Sequence, residues 1–212
     1  MQKENGKKSL RKTKKFIYLI SPTKISSNFY RNLEKILKSK KIFFFQLRLK
    51  KVNKNKIIKI ARKIKKITKK YNVKFIINDD PNLAIKVGAD GSHIGQKDFG
   101  IKEARKILKN KILGVTCHNS LKFARKAIKN GADYIAFGSF FASKTKIVKF
   151  KANFSILKKV KKFSSVPIVA IGGINNKNYK KVLLNKANFL AISSYIWKNK
   201  KLSPIEATRK LK

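Results

Sequence analysis

The chain of 212 residues reads as a single closed (β/α)8 barrel of the TIM type. Eight short apolar runs alternate with segments of helical period, the pattern of parallel strands joined by crossover helices. The runs are continuously apolar, as in strands covered on both faces. Glycines and polar side chains gather where the runs end, which is where a barrel carries its chemistry. An open doubly wound sheet is the alternative, but no Gly-x-Gly-x-x-Gly follows the first run.

Residues 1–15 are a Lys-rich polar tail, and 16–212 form one barrel with no linker or second domain. Phe16 to Ile20, stopped by Ser21-Pro22, is the first strand. Asn28 to Ser39 has helical spacing through Phe29, Leu33, Ile36 and Leu37. Ile42 to Lys50 is the second strand, with Gln46, Arg48 and Lys50 expected on one side. Asn55 to Tyr71 is a basic amphipathic helix on Ile57, Ile60, Ala61, Ile64 and Ile67. Val73 to Asn78 is strand three, Leu83 to Val87 a short helix, and Gly91 to Gly95 a brief strand four. Ile101 to Leu108 is helical and Lys111 to Thr116 is strand five. Ser120 caps the next helix, which Gly131 ends. Asp133 to Gly138 is strand six, followed by a polar loop, Ser139 to Lys146, and a helix, Phe154 to Phe163. Val166 to Ile171 is strand seven and runs into Gly172-Gly173. Asn178 to Lys186 is helical, Phe189 to Ser193 is strand eight, and a last helix begins at Pro204.

The formal net charge is +46, from 55 Lys plus Arg against nine Asp plus Glu. Polyanion binding is one explanation. Only seven of the basic residues are Arg, the side chain suited to bidentate phosphate and base contacts. The Lys residues are spread along the whole chain, and Asn, Ile and Phe are frequent too. An A+T-rich genome that fills solvent faces with Lys gives this pattern, so no specific nucleic acid is expected as partner. The single Cys117 excludes an internal disulfide framework and a cysteine-rich zinc site. The run from Phe16 to Ile20 is too short for a signal-peptide core, and none approaches the ~20 apolar residues that cross a bilayer. A soluble cytoplasmic protein acting on small molecules is expected. Barrels of this kind often pair, which leaves a homo-oligomer open.

Four of the nine acidic residues (Asp79, Asp80, Asp90, Asp98) fall in one segment around strands three and four. Asp80-Pro81 reads as a helix cap and first turn. Asp79, with Asn78 beside it, then points into a site, where carboxylates are the hard oxygen ligands that Mg²⁺ takes together with a substrate phosphate. Arg48, Lys50 and Lys146 with Asn78, Asp79 and Asp98 would bind a diphosphate through cations and a bridging Mg²⁺. Ser143, Thr145, Gly172-Gly173 and Ser193 would form a second anion pocket, as loops after strands seven and eight often do. Two phosphate sites and a metal suggest transfer between two phosphorylated molecules. Taken singly, Lys50 and Lys146 read as solvated charges and Gly172-Gly173 as a tight turn. His118 alone reads as a structural histidine at a strand end, and His93 as core. Only the joint placement at strand ends lifts the set.

These residues resemble a known family. Gln46-Leu47-Arg48-Leu49-Lys50, Asn78-Asp79, Gly91 through His93-Ile94-Gly95-Gln96-Lys97-Asp98, Gly114 to His118, Gly138 through Ser143-Lys144-Thr145-Lys146, and Ala170 to Ile174 are similar, in order and spacing, to thiamine phosphate synthase. The resemblance implies that a hydroxymethylpyrimidine diphosphate joins a thiazole phosphate, giving thiamine phosphate and diphosphate. It implies a dissociative, Mg²⁺-dependent reaction through a pyrimidine cation. Carried over residue by residue, Gln46, Arg48, Lys50, Asn78, Thr116 and Lys146 hold the pyrimidine diphosphate. Arg48, Lys50 and Lys146 act on its departure, and Asp79 and Asp98 ligate Mg²⁺. Ser143 and Thr145 contact the thiazole phosphate, and Gly173, Ile192 and Ser193 donate to it. This chain departs from the family pattern at Leu49, where an acid is usual, and at Asp80, where a basic residue is usual. Thr116, Ser143 and Ser139 stand for the commoner Ser, Thr and Pro.

Three other readings compete. A thiazole tautomerase relative would use His118 for general acid/base work, but has no use for Arg48, Asn78, Asp79 and Asp98 together. A nucleic-acid binder would leave the acid cluster unexplained. A degenerate, inactive paralogue is the third, suggested by Leu49 and Asp80.

Overall fold

The computed structural model describes residues 15–142 and 150–212. The N-terminal tail up to residue 14 and three expected site residues, Ser143, Thr145 and Lys146, lie outside the described residues.

The eight strands are β1 (Ile17–Ile20), β2 (Ile42–Leu47), β3 (Lys74–Asn78), β4 (Gly91–Ile94), β5 (Ile112–His118), β6 (Tyr134–Gly138), β7 (Ile168–Ile171) and β8 (Phe189–Ile192). Each pairs in parallel with its sequence neighbours, and β8 closes on β1. Between strands run α1 (Phe29–Lys38), α2 (Lys54–Lys70), α3 (Pro81–Lys86), α4 (Ile101–Leu108), α5 (Leu121–Lys129), α6 (Ser155–Phe163) and α7 (Tyr179–Leu184). Two short helices, α8 (Ser194–Trp197) and α9 (Pro204–Arg209), follow β8. The expected (β/α)8 barrel is the fold. No helix of the described residues is long and apolar enough to cross a membrane.

Strand parity divides the core into two layers. Ile17, Leu19, Phe45, Leu47, Phe75, Ile77, Leu113, Val115, Ile135, Phe137, Ala170 and Leu190 join the buried layer under the helices. Their alternates Tyr18, Phe44, Ile76, Tyr134, Ala136, Val169, Phe189 and Ala191 form a second cluster that fills the barrel. Aromatic rings dominate this interior: Phe44 lies 5.0 Å from Tyr18, 5.3 Å from Tyr134 and 5.1 Å from Phe189, centroid to centroid. A register shift between β1 and β2 lets consecutive Phe43 and Phe44 both join that inner cluster.

Strands four and eight end one residue earlier than expected, and two other strand ends move further. β2 stops at Leu47 and not at Lys50, because Arg48 leaves the ladder: its N–H donates to Ser21 Oγ at 2.9 Å. Arg48 and Lys50 therefore stand on a loop and not on one strand face. β5 runs on to His118 through a bulge after Thr116, and His118 takes a left-handed φ of 53° there. The helix α8 has no apolar period to announce it over four residues.

Candidate active site

The same parity carries polar groups to the mouth. Gln46, Asn78, His93 and Thr116 have the inward parity of Phe44, Ile76 and Gly114, one pleat nearer the C-terminal end of each strand. Gln46 is buried and donates from Nε2 to Asn78 Oδ1 at 3.2 Å. This bond fixes the Asn78 amide and leaves its N–H₂ for another acceptor. Thr116 accepts a second restraint at its backbone, where Gln96 Nε2 donates to the Thr116 carbonyl.

Asp79 follows directly. Its φ is 66°, a left-handed conformation that Asp tolerates, and its N–H donates to the His93 carbonyl at 2.8 Å. The chain thus turns sharply off β3 and brings the carboxylate of Asp79 close enough to that of Asp98 for the two to interact. Burial, then the hydrogen bond to Asp98 and its charge, push the Asp79 carboxyl up to about 6, against the pull of Lys50 and Arg48. Asp98 is itself held by the Gly95 N–H, 2.6 Å from Oδ2. Lys50 Nζ lies 3.9 Å from Asp79 Oδ2, an ion pair open to solvent, with the Lys50 side chain 60% and the Asp79 side chain 34% exposed. Two hard oxygen donors converge here, and they repel each other unless a proton or cation lies between them. This donor set fits Mg²⁺ held jointly with a substrate phosphate.

Asp80 is turned elsewhere. Its Oδ1 accepts from the Leu83 N–H at 2.8 Å as the cap of α3, and Oδ2 pairs with Lys54 at 3.4 Å. The acid that departs from the family pattern is therefore committed to a helix start. Leu49 packs half-buried against the outer core.

The opposite side of the mouth is backbone. Gly172 and Gly173 have φ of 107° and 61°, where L side chains are strained. A Cβ on Gly173 would stand 2.2 Å from the Ala142 carbonyl oxygen. The loop after β6 lies on this turn, with Phe140 N–H donating to Ile171 O and Phe141 N–H to Gly172 O, both at 3.1 Å. Asn178 Nδ2 donates to Gly173 O at 3.0 Å, pinning the peptide. Ser193 stands at the end of β8, and its hydroxyl donates to Ser21 O at 3.1 Å. Its side chain is thus engaged, which leaves backbone N–H groups of Gly173, Ser193 and the first turn of α8 as the donors on this side. Ile192 is buried on the outer face of β8 and contributes only main chain.

The two histidines differ. His118 lies with its ring against Phe150, 4.2 Å between centroids, and edge-on to Phe123. His93 was expected in the core; its ring is indeed enclosed, but by polar partners, Tyr134 Oη at 3.0 Å from Nδ1 and Thr116 Oγ1 at 2.8 Å from Nε2. Some of its surface reaches solvent, yet burial pushes the imidazole down to about 4, so it is neutral at pH 7. Strand parity carries the signal for His93, since it places residue 93 beside Asn78 and Thr116. Gln96, Ser21 and Tyr134, which position site residues from loops or from depth, leave no such periodic trace.

A family model described as thiamine monophosphate synthase matches residues 17–196. The chain belongs to this family. It is 66% identical over 201 residues to a thiamine-phosphate synthase of Pelagibacter ubique, covering 94% of this chain and 97% of that one. A thiamine-phosphate synthase of Clostridioides difficile is 39% identical, over 93% of this chain and 94% of its own. Among solved structures, a thiamine phosphate pyrophosphorylase from Pyrococcus furiosus superposes with a TM-score of 0.80 at 27% identity, over 93% of each chain. Family membership makes the protein an enzyme, a transferase of thiamine biosynthesis.

Proposed function

We propose that the chain joins a hydroxymethylpyrimidine diphosphate to a thiazole phosphate, releasing diphosphate and forming thiamine phosphate. The observation that carries this reading is the pairing of Asp79 with Asp98 beside Arg48, Lys50 and Asn78. Such a set suits a diphosphate and its counter-cation, and a tautomerase would have no use for it.

Asp79 and Asp98 would hold Mg²⁺, which, when bound, supplies positive charge to the diphosphate oxygens. Arg48 and Lys50 add fixed cations at the same end, and Lys146 joins them on the family resemblance. The bond between the pyrimidine methylene carbon and the diphosphate oxygen breaks, and its electron pair leaves on the diphosphate. The thiazole nitrogen lone pair then forms the new carbon–nitrogen bond. No side-chain nucleophile is needed, so the residues work by positioning and by neutralising developing charge. Gln46, Asn78 and Thr116 orient the pyrimidine diphosphate. Ser143 and Thr145, with main-chain donors at Gly173, Ile192 and Ser193, would hold the thiazole phosphate on the other side.

Two separate anion subsites give a direct test. Calorimetry should show that Asn78→Ala weakens the pyrimidine diphosphate about tenfold, the size of one hydrogen bond to a charged group, and spares the thiazole phosphate. Gly173→Ala should do the reverse. Equal losses of both ligands in both variants would refute the two-subsite assignment.

A further inference from the structure

Beneath the mouth the barrel holds a chain of four hydrogen-bonding side chains. Tyr18 Oη lies 2.7 Å from Tyr134 Oη, and Tyr134 Oη lies 3.0 Å from His93 Nδ1. His93 Nε2 in turn lies 2.8 Å from Thr116 Oγ1. The inner end is sealed among Phe44 and Phe189, with Tyr18 2% and Tyr134 0% exposed. Gly114 makes room for it, because a Cβ there would stand 2.2 Å from the Tyr134 hydroxyl oxygen.

Counting protons gives the chain a direction. Each hydroxyl carries one hydrogen, and a neutral imidazole carries one on either nitrogen. With the His93 proton on Nδ1, His93 would donate to Tyr134 and Tyr134 to Tyr18. The Tyr18 proton would then be stranded, since Tyr134 is the one partner of the Tyr18 hydroxyl among the described residues. A stranded buried donor forfeits its hydration with no return. A doubly protonated imidazole strands the same proton. With the proton on Nε2, Tyr18 donates to Tyr134, Tyr134 to Nδ1, and His93 to Thr116, so every interior proton is used. The Thr116 oxygen is then occupied as an acceptor from below, and its own proton turns toward the mouth.

We propose that this chain holds His93 as its Nε2–H tautomer and thereby frees the Thr116 proton to be donated to the bound ligand. A ligand that presents a hydrogen-bond acceptor at that point is favoured. His93, Tyr134 and Tyr18 are positioning residues, and the assignment of Thr116 to the pyrimidine diphosphate rests on the proposed function.

The test begins with the wild-type protein labelled with ¹⁵N in its imidazoles. It has two histidines, so a His118→Asn variant assigns the spectrum. A pyrrole-like Nε2 and a pyridine-like Nδ1 at His93 are expected at pH 7. The opposite pattern, or an imidazolium, would overturn the proposal. This readout needs no turnover, so it stands whether or not the synthase reading does. Kinetics supply the second arm. Thr116→Val and His93→Ala should each raise KM for the pyrimidine diphosphate about tenfold, leaving KM for the thiazole phosphate unchanged. The double variant should lose no more than either single one, and His93→Gln, which restores a donor toward Thr116, should recover most of the loss. Losses that multiply in the double variant would refute the coupling. If His93→Ala fails to fold, the wild-type spectrum and His93→Gln still decide.

Discussion

At the scale of single residues, the site turns on two carboxylates that repel each other. The Asp79 carboxyl, raised to about 6 by burial and by Asp98, favours a folded state that holds an extra proton. Its contribution to stability is present below the ordinary carboxylate range and is lost as pH rises through about 6. Melting temperatures measured from pH 4 to 8 without divalent ions should show that step in the wild type, and Asp79→Asn should lack it. A cation competes with the same proton. The affinity for Mg²⁺ should therefore be flat above pH 6 and fall about tenfold per unit below it, which titration calorimetry would read. Asp79→Asn should raise the Mg²⁺ needed for half-maximal rate by about 100-fold, the upper range for disturbing a metal site.

At the scale of elements, parity did most of the positioning. A strand of period two that buries Phe44 and Ile76 inside the barrel must send Gln46 and Asn78 the same way; alternation made Gln46 legible, while Asn78 was legible as the polar end of an apolar run. Asp80 was legible too, because Asp followed by Pro is a strong helix start, and it caps α3 as expected. Strand ends were not legible in the same way. Where β2 stops is decided by Ser21 capturing the Arg48 N–H, a contact from a loop 27 residues earlier. The bulge after Thr116 answers to the register between β5 and β6, which no local pattern records. The polar partners of His93 were not legible, because Tyr134 and Thr116 lie on other strands while its own short strand reads as core. The turn after β7 gives a prediction at this scale. Gly172→Ala would place a Cβ 2.6 Å from the Ser139 Cα at a φ of 107°, so thermal unfolding should show a loss of about 1–3 kcal/mol. Arg105 ties α4 to Asp133 at 2.5 Å and to the Gly131, Lys109 and Lys111 carbonyls. Arg105→Ala should cost about 2 kcal/mol by denaturant unfolding, with ligand affinities unchanged.

At the scale of the whole molecule, a charge of +46 surrounds the candidate site, whose proposed substrates are anions. The Lys residues need no contact with the substrates to matter, since a field of one sign raises the rate of encounter. The second-order rate kcat/KM should fall with added salt while kcat stays nearly constant. Binding to DNA should be weak, indifferent to sequence, and lost at physiological salt. A salt-independent kcat/KM would mean that the Lys-rich surface does nothing for the reaction. The core that carries this surface is ordinary: aromatic rings inside the barrel, aliphatic side chains with further phenylalanines under the helices, and polar groups at one rim.

Diphosphate departure is the step that the Asp79–Asp98 pair and its neighbours would serve. The most direct measurement is formation of thiamine phosphate from the two phosphorylated precursors, with Mg²⁺ and with a chelator, for the wild type and Asp79→Asn. Product and diphosphate should form in equal amounts, depend on Mg²⁺, and be nearly lost in the variant. Wild-type product formation that ignores both the chelator and the substitution would contradict this role of the pair.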